Sequence, residues 1–123
     1  MPHLRLEYSA NLSVTQERLR KVFAKLHKVL VDRADAEFIR CQSRAICYED
    51  FYVGDGAESR AFVYLQVILL QRRTALQLQQ TGEGLLKVLQ NEFKDWISHY
   101  DAQISVHLNE IPADRSYKAD YYK

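Results

Sequence analysis

The chain has 123 residues, 47% of them hydrophobic and 27% charged, with a formal net charge of +1. That length and composition suit one compact domain, residues 1–123, with a real core. The near-neutral balance excludes a broad nucleic-acid or anionic-membrane surface, so any anion must be gripped by a few placed arginines.

The chain opens Met-Pro-His-Leu-Arg-Leu-Glu-Tyr. Leu4 and Leu6 fall on one face and His3, Arg5 and Glu7 on the other, which is the period of a strand with one covered face. Pro2 has two readings. A strand tolerates proline at its first residue, where no ladder donor is needed. Removal of Met1 would alternatively leave Pro2 with a free secondary amine, a base no side chain imitates. The N-terminus lacks the basic and apolar segments of a secretory signal, and no apolar run approaches the ~20 residues of a membrane span.

Ser13-Val14-Thr15-Gln16 has the spacing of a capping box, which predicts a helix starting at Ser13. Leu19, Val22, Phe23, Leu26, Val29 and Leu30 continue at helical spacing to about Arg33. Residues 34–37 read as a polar joint. Phe38 to about Tyr48 reads as extended. Cys41 and Cys47, the only cysteines, would then share a strand face without bridging. They lack the neighbours of a zinc site, so they read as inert small hydrophobes of a reduced, cytoplasmic protein.

Gly54-Asp55-Gly56 signals a turn. Residues 60–70 form a second strand, and their near-continuous apolar run suggests cover on both faces, as in a parallel sheet. Thr74-Ala75-Leu76-Gln77 repeats the capping box and opens a long helix. Its stripe is Leu78, Gly82, Leu85, Leu89, Phe93, Trp96 and Tyr100. Gly82 and Gly84 each weaken a helix by roughly 1 kcal/mol relative to Ala, a cost that makes sense where the helix lies tight against a sheet. A last strand covers about 103–109 and Pro112 ends it. The tail, with Tyr117, Tyr121 and Tyr122, is expected at a subunit boundary.

The order is β-α-β followed by β-α-β, an α+β arrangement of two imperfect copies, about 2–53 and 60–110. Ser13 and Thr74 stand 61 residues apart, while the helical stripes fit an offset near 63. Two helices would cover one sheet face. The other face, read as apolar, would need a partner and invites a closed oligomer.

Several short motifs occur together in this order: Pro2-His3, Ser43-Arg44, Asp55-Gly56 followed by Ala61-Phe62-Val63, and Arg73-Thr74. With them the chain resembles 5-carboxymethyl-2-hydroxymuconate isomerase, of the tautomerase superfamily that includes 4-oxalocrotonate tautomerase. The likeness spans roughly residues 2–118. It implies a tautomerase-like homotrimer whose sheets face inward, with active sites near subunit boundaries. It further implies Pro2 as the catalytic amine and Arg44 and Arg73 as catalytic arginines. Arg72 stands where relatives carry a small residue, so either Arg72 or Arg73 could face the pocket, and Gln42 stands where some relatives carry a second arginine.

The chemistry suits these residue types. A neutral α-amino group can take a proton from one atom and return it to another, and burial or neighbouring cations bring its pKa toward neutrality. Guanidinium stays charged and grips carboxylates bidentately. The implied reaction converts an unsaturated 2-hydroxy dienol dicarboxylate to its 2-oxo form, as in bacterial aromatic-acid catabolism, with no metal or organic cofactor required. The small-molecule carboxylate and further copies of the chain are the only partners expected, with no nucleic acid or membrane. Phe38 and Tyr48 could wall the pocket or pack in the core. Arg44 has a plainer alternative as a solvated strand residue or an interface ion-pair partner. Two rivals to this activity stand open: another reaction on the same scaffold, such as dehalogenation or hydration, and a non-catalytic trimeric binding protein.

Overall fold

The computed structural model describes residues 1–123. Its elements are β1 (His3–Ser9), α1 (Gln16–Ala34), β2 (Gln42–Tyr48), β3 (Arg60–Leu70), α2 (Ala75–Ile97) and β4 (Asp101–Ile111), with short 3-10 turns at Ala10–Leu12, Phe38–Arg40 and Ala113–Arg115. The strands form one sheet in the order β2-β1-β3-β4. β1 runs parallel to β2 and β3 parallel to β4, but the central pair β1 and β3 is antiparallel. The sheet is therefore mixed, where the apolar run of β3 had suggested a parallel one. Each β-α-β unit is internally parallel, and the two units meet head to tail.

Both helices lie on one face. Alternation on β1 buries Leu4, Leu6 and Tyr8, and on β3 it buries Ala61, Val63, Leu65, Val67 and Leu69. Against them α1 sets Val22, Leu26, Leu30 and Ala34, and α2 sets Leu85, Leu89 and Phe93. These residues form a single core cluster. The run in β3 is continuous because its second face carries Phe62, Tyr64, Ile68 and Leu70, which are only half-buried.

That second face is not the apolar surface the sequence suggested. Arg5 Nη2 donates to Gln66 Oε1 at 2.7 Å, Tyr48 Oη donates to Glu7 Oε2 at 3.2 Å, and Tyr64 pairs with His107 at 3.1 Å. It is a polar face with apolar residues interspersed.

The first helix starts two residues later than Ser13. Thr15 is its N-cap and accepts from the Arg18 backbone N–H, while Ser13 adopts a left-handed conformation after the preceding 3-10 turn. The capping box at Thr74 and Gln77 forms in full. The two true N-caps, Thr15 and Thr74, are thus 59 residues apart, not 61. Asp35 ends α1 with φ 55. Residues 38–40 are a 3-10 turn and not part of an extended strand, so buried Cys41 precedes β2 and only exposed Cys47 lies on it. Gly84 marks a close approach of α2 to α1, not to the sheet: a Cβ there would stand 2.9 Å from Val29 Cγ1.

Candidate active site

The start of β1 is drawn into the body of the domain. Pro2 is buried, and its carbonyl accepts the Gln42 backbone N–H at 3.1 Å, which ties it to the start of β2. Three other segments close around this point: the joint between α1 and β2, the turn from β3 into α2, and the C-terminal tail. They leave two adjoining clefts of about 330 Å³ and 180 Å³, which share Met1, Arg40, Ser116 and Lys118 as walls. The N-terminus of the chain therefore stands where both clefts meet.

Four cationic side chains line these clefts: Arg40, Arg72, Arg73 and Lys118. The acidic residues are Asp35, Glu37 and Asp120. With the terminal amine the balance is positive, as an anionic ligand requires. Burial, followed by the nearby Lys118 and Arg40 charges, holds the terminal amine below its ordinary pKa of 8.0. Each effect disfavours the ammonium form. With Met1 attached, this amine belongs to Met1 and the Pro2 nitrogen is an amide.

Arg73 is half-buried. Its Nε donates to the Ala34 carbonyl at 2.7 Å and its Nη1 to the Leu70 carbonyl at 3.0 Å. It thereby satisfies a carbonyl at the C-terminal end of α1, where a cation is favoured. Burial, then the Arg72 charge, lowers its pKa. Arg72 is exposed and reaches across to Asp35, with Nη2 2.8 Å from the backbone carbonyl. Both arginines line the smaller cleft.

Arg44 lies elsewhere. It sits on the polar sheet face opposite Arg5 in register, and its Nη2 stands 2.8 Å from His3 Nδ1. Guanidinium can only donate, so His3 Nδ1 accepts and the imidazole is neutral with its proton on Nε2. Burial, then Arg44, lowers the His3 pKa to match. His3 lines the larger cleft and Arg44 neither, so Arg44 approaches the site through His3. Phe38 is 58% exposed and lines neither cleft. Tyr48 pairs with Ser9 at the far end of β1, where it packs on Phe62. This chain brings neither to the N-terminus.

Sequence reasoning missed Arg40, Lys118 and Asp120. Arg40 belongs to the 3-10 turn and faces both clefts. Its Nε pairs with Glu37 at 3.1 Å, its Nη1 with both Asp120 oxygens at 3.1 and 3.2 Å, and its guanidinium carbon lies 5.4 Å from the Tyr122 ring centre. A period-two strand reading of 38–48 hid it. Spacing alone carried no signal that the tail folds back here.

No group of three or more His, Cys, Asp or Glu side chains is placed to hold a metal ion, and no helix is long and apolar enough to cross a membrane. No curated protein matches the chain. Its fold is similar to that of a 5-carboxymethyl-2-hydroxymuconate isomerase from Deinococcus radiodurans R1, with 26% identity and a TM-score of 0.87, covering 98% of this chain and 90% of that one. A 5-carboxymethyl-2-hydroxymuconate delta-isomerase is similar at 15% identity and a TM-score of 0.79, covering 99% and 89%. A wild-type fused 4-OT, an asymmetric trimer, shares the fold at 18% identity and a TM-score of 0.69, covering 89% and 88%. The model of the 5-carboxymethyl-2-hydroxymuconate isomerase family matches residues 2–123. The chain therefore belongs to that family and is an isomerase with the tautomerase fold.

Proposed function

We propose that this isomerase converts an unsaturated 2-hydroxy dienol dicarboxylate, similar to 5-carboxymethyl-2-hydroxymuconate, to its 2-oxo form, with Pro2 as general acid and base after loss of Met1. The supporting observation is that the chain's terminal nitrogen lies at the junction of two cation-lined clefts, in surroundings that lower an amine's pKa. Once Met1 is removed, the Pro2 nitrogen is the amine at this junction, and the rigid ring and the strand behind it fix its lone pair. The neutral amine takes the proton from the 2-hydroxyl oxygen. The C–O bond becomes a carbonyl as the conjugated double bonds shift. The protonated amine then gives its proton to the distal carbon. An amine whose pKa is brought toward neutrality is well matched to both steps. The cleft arginines hold the carboxylates and stabilise the dienolate charge as it forms.

The reaction needs only proton transfer and charge stabilisation, which an amine and guanidinium groups supply without a cofactor. A homotrimer built on the open sheet face accounts for a surface that one chain leaves half-buried, and the similar fused 4-OT is itself a trimer. The proposal extends to a cytoplasmic setting in aromatic-acid breakdown.

A second reading applies to protein that keeps Met1. In the chain bearing Met1, the Pro2 nitrogen carries no basic lone pair, so protein that keeps Met1 would bind carboxylates without turnover. Intact mass measurement separates the two forms. Protein beginning at Pro2 should accelerate ketonisation of 2-hydroxymuconate in an ultraviolet assay. No acceleration across a panel of dienol acids would sink the enzyme assignment of Pro2.

A further inference from the structure

We propose that Arg40 is a substrate-carboxylate receptor of this cleft and that Asp120 occupies it when the cleft is empty, making the tail a displaceable strap. Arg40 takes this role only on the reading above, that the cleft receives a dicarboxylate. Two observations carry the assignment. First, every side-chain hydrogen bond, ion pair and ring contact recorded between residues 116–123 and the rest of the chain ends on Arg40: the Asp120 carboxylate on Nη1 and the Tyr122 ring over the guanidinium. The remaining ion pair, Lys118 with Asp120 at 4.0 Å, is internal to the tail. Second, Arg40 is engaged but not filled. Both Asp120 oxygens crowd onto Nη1, Glu37 takes Nε, and Nη2 makes no hydrogen bond.

A guanidinium presents a two-nitrogen fork to a carboxylate. Asp120 uses one tine only. The pair is also partly open to water, with Asp120 39% and Arg40 27% exposed. Exposed pairs of this kind are weak, so an incoming carboxylate that engages the free Nη2 together with Nη1 can displace Asp120. Residues 116–123 have no regular secondary structure. Once Asp120 leaves, the Tyr122 ring is the remaining tail side chain in contact with the Arg40 guanidinium. Asp120 thus acts as an internal competitor, and Arg40 sets the preference for substrates with a second carboxylate.

The test uses the full chain beginning at Pro2, with 2-oxoadipate as a non-isomerising dicarboxylate probe in an NMR shift titration. Asp120→Asn should bind 2-oxoadipate at least about 3-fold more tightly than wild type and lower KM for 2-hydroxymuconate with kcat unchanged. Arg40→Ala should bind it about 10-fold or more weakly, with Arg40→Lys between. Adding Asp120→Asn to Arg40→Ala should produce no tightening, because the competitor has lost its target. Affinity unchanged or weakened by Asp120→Asn would overturn the strap, as would tightening that persists without Arg40. The two readings fail separately. If the affinity pattern holds and wild type shows no turnover, the tautomerase reading falls. If turnover depends on Pro2 and Asp120→Asn leaves affinity unmoved, the strap falls.

Discussion

The two β-α-β units are built alike but end differently at the start of their first strands. At β1 the chain enters through buried Pro2 into a region with four cationic side chains against three acidic ones. At the start of β3, Arg60 faces two acids: its Nε and Nη2 bind Asp55 at 3.1 and 3.2 Å, and its Nη1 binds Asp101 at 2.9 Å. Arg60 is fully engaged, and its surroundings carry excess negative charge. The same architecture therefore creates a cation-lined cleft at one end of the sheet and a closed structural clamp at the other. The difference lies in charge balance and in whether the guanidinium keeps an open donor.

That contrast can be broken most severely at Pro2. Protein that keeps Met1, so that the Pro2 nitrogen is an amide, should ketonise 2-hydroxymuconate about 10²–10⁴-fold more slowly than processed protein, the range for a lost general acid–base group, with the thermal midpoint little changed. Next, Arg73→Ala should lose activity and stability together. It leaves the Ala34 and Leu70 carbonyls without their donor, a cost of about 1–3 kcal/mol that urea unfolding would read.

The helix interface between the halves offers a third measure. Glu92 on α2 is 8% exposed and is clasped by Lys25 and by Arg18, the latter at 3.1 Å. Hydrogen bonding from Lys25, opposed by burial and reinforced by Arg18, holds its carboxyl below the usual range. A depressed folded-state pKa gives stability that is present above the unfolded value of about 4.3 and lost as pH falls through the folded one. Glu92→Gln should therefore cost about 1–3 kcal/mol at pH 7, with the gap to wild type closing in acid below about pH 4.

The helix starts sharpen the comparison at smaller scale. Thr74→Ala should cost about 1 kcal/mol. Thr15→Ala should cost less, about 0.5 kcal/mol, because Thr15 lacks the reciprocal glutamine bond that completes the cap at Thr74. The smallest effect belongs to Arg60→Ala, which should leave kcat/KM within about 2-fold of wild type, since its neighbours are all at the end of the sheet remote from Pro2 and an exposed ion pair is worth under about 1 kcal/mol.

Much of this fold was readable from spacing because the core is set by local periods. Alternation located β1, a near-continuous apolar run located β3, and the helical stripe located Val22, Leu26, Leu85 and Leu89. The Thr74 cap was legible because both of its partners lie within four residues. The same logic misplaced the first cap: Ser13 and Thr15 both precede a helical stripe, and only the left-handed backbone at Ser13 excludes it. Arg73 was found at the cleft, but its bonds to Ala34 and Leu70 depend on where α1 happens to end. Arg40 was missed because a single 3-10 turn rotates it off the face that strand alternation assigns. Phe38 and Tyr48 looked suitable for a pocket by residue type, yet register carries Tyr48 to the opposite end of the sheet.

By itself, the order of residues determined the four strands and two helices, the helix-facing side of β1 and the presence of a proline one residue from the start, since each depends on neighbours a few positions apart. Only the tertiary structure decided that the two units meet antiparallel, that the open face is polar, and that Arg40, Lys118 and Asp120 gather around the terminal nitrogen. Those outcomes depend on contacts between residues 80 or more positions apart, across which no local period carries information.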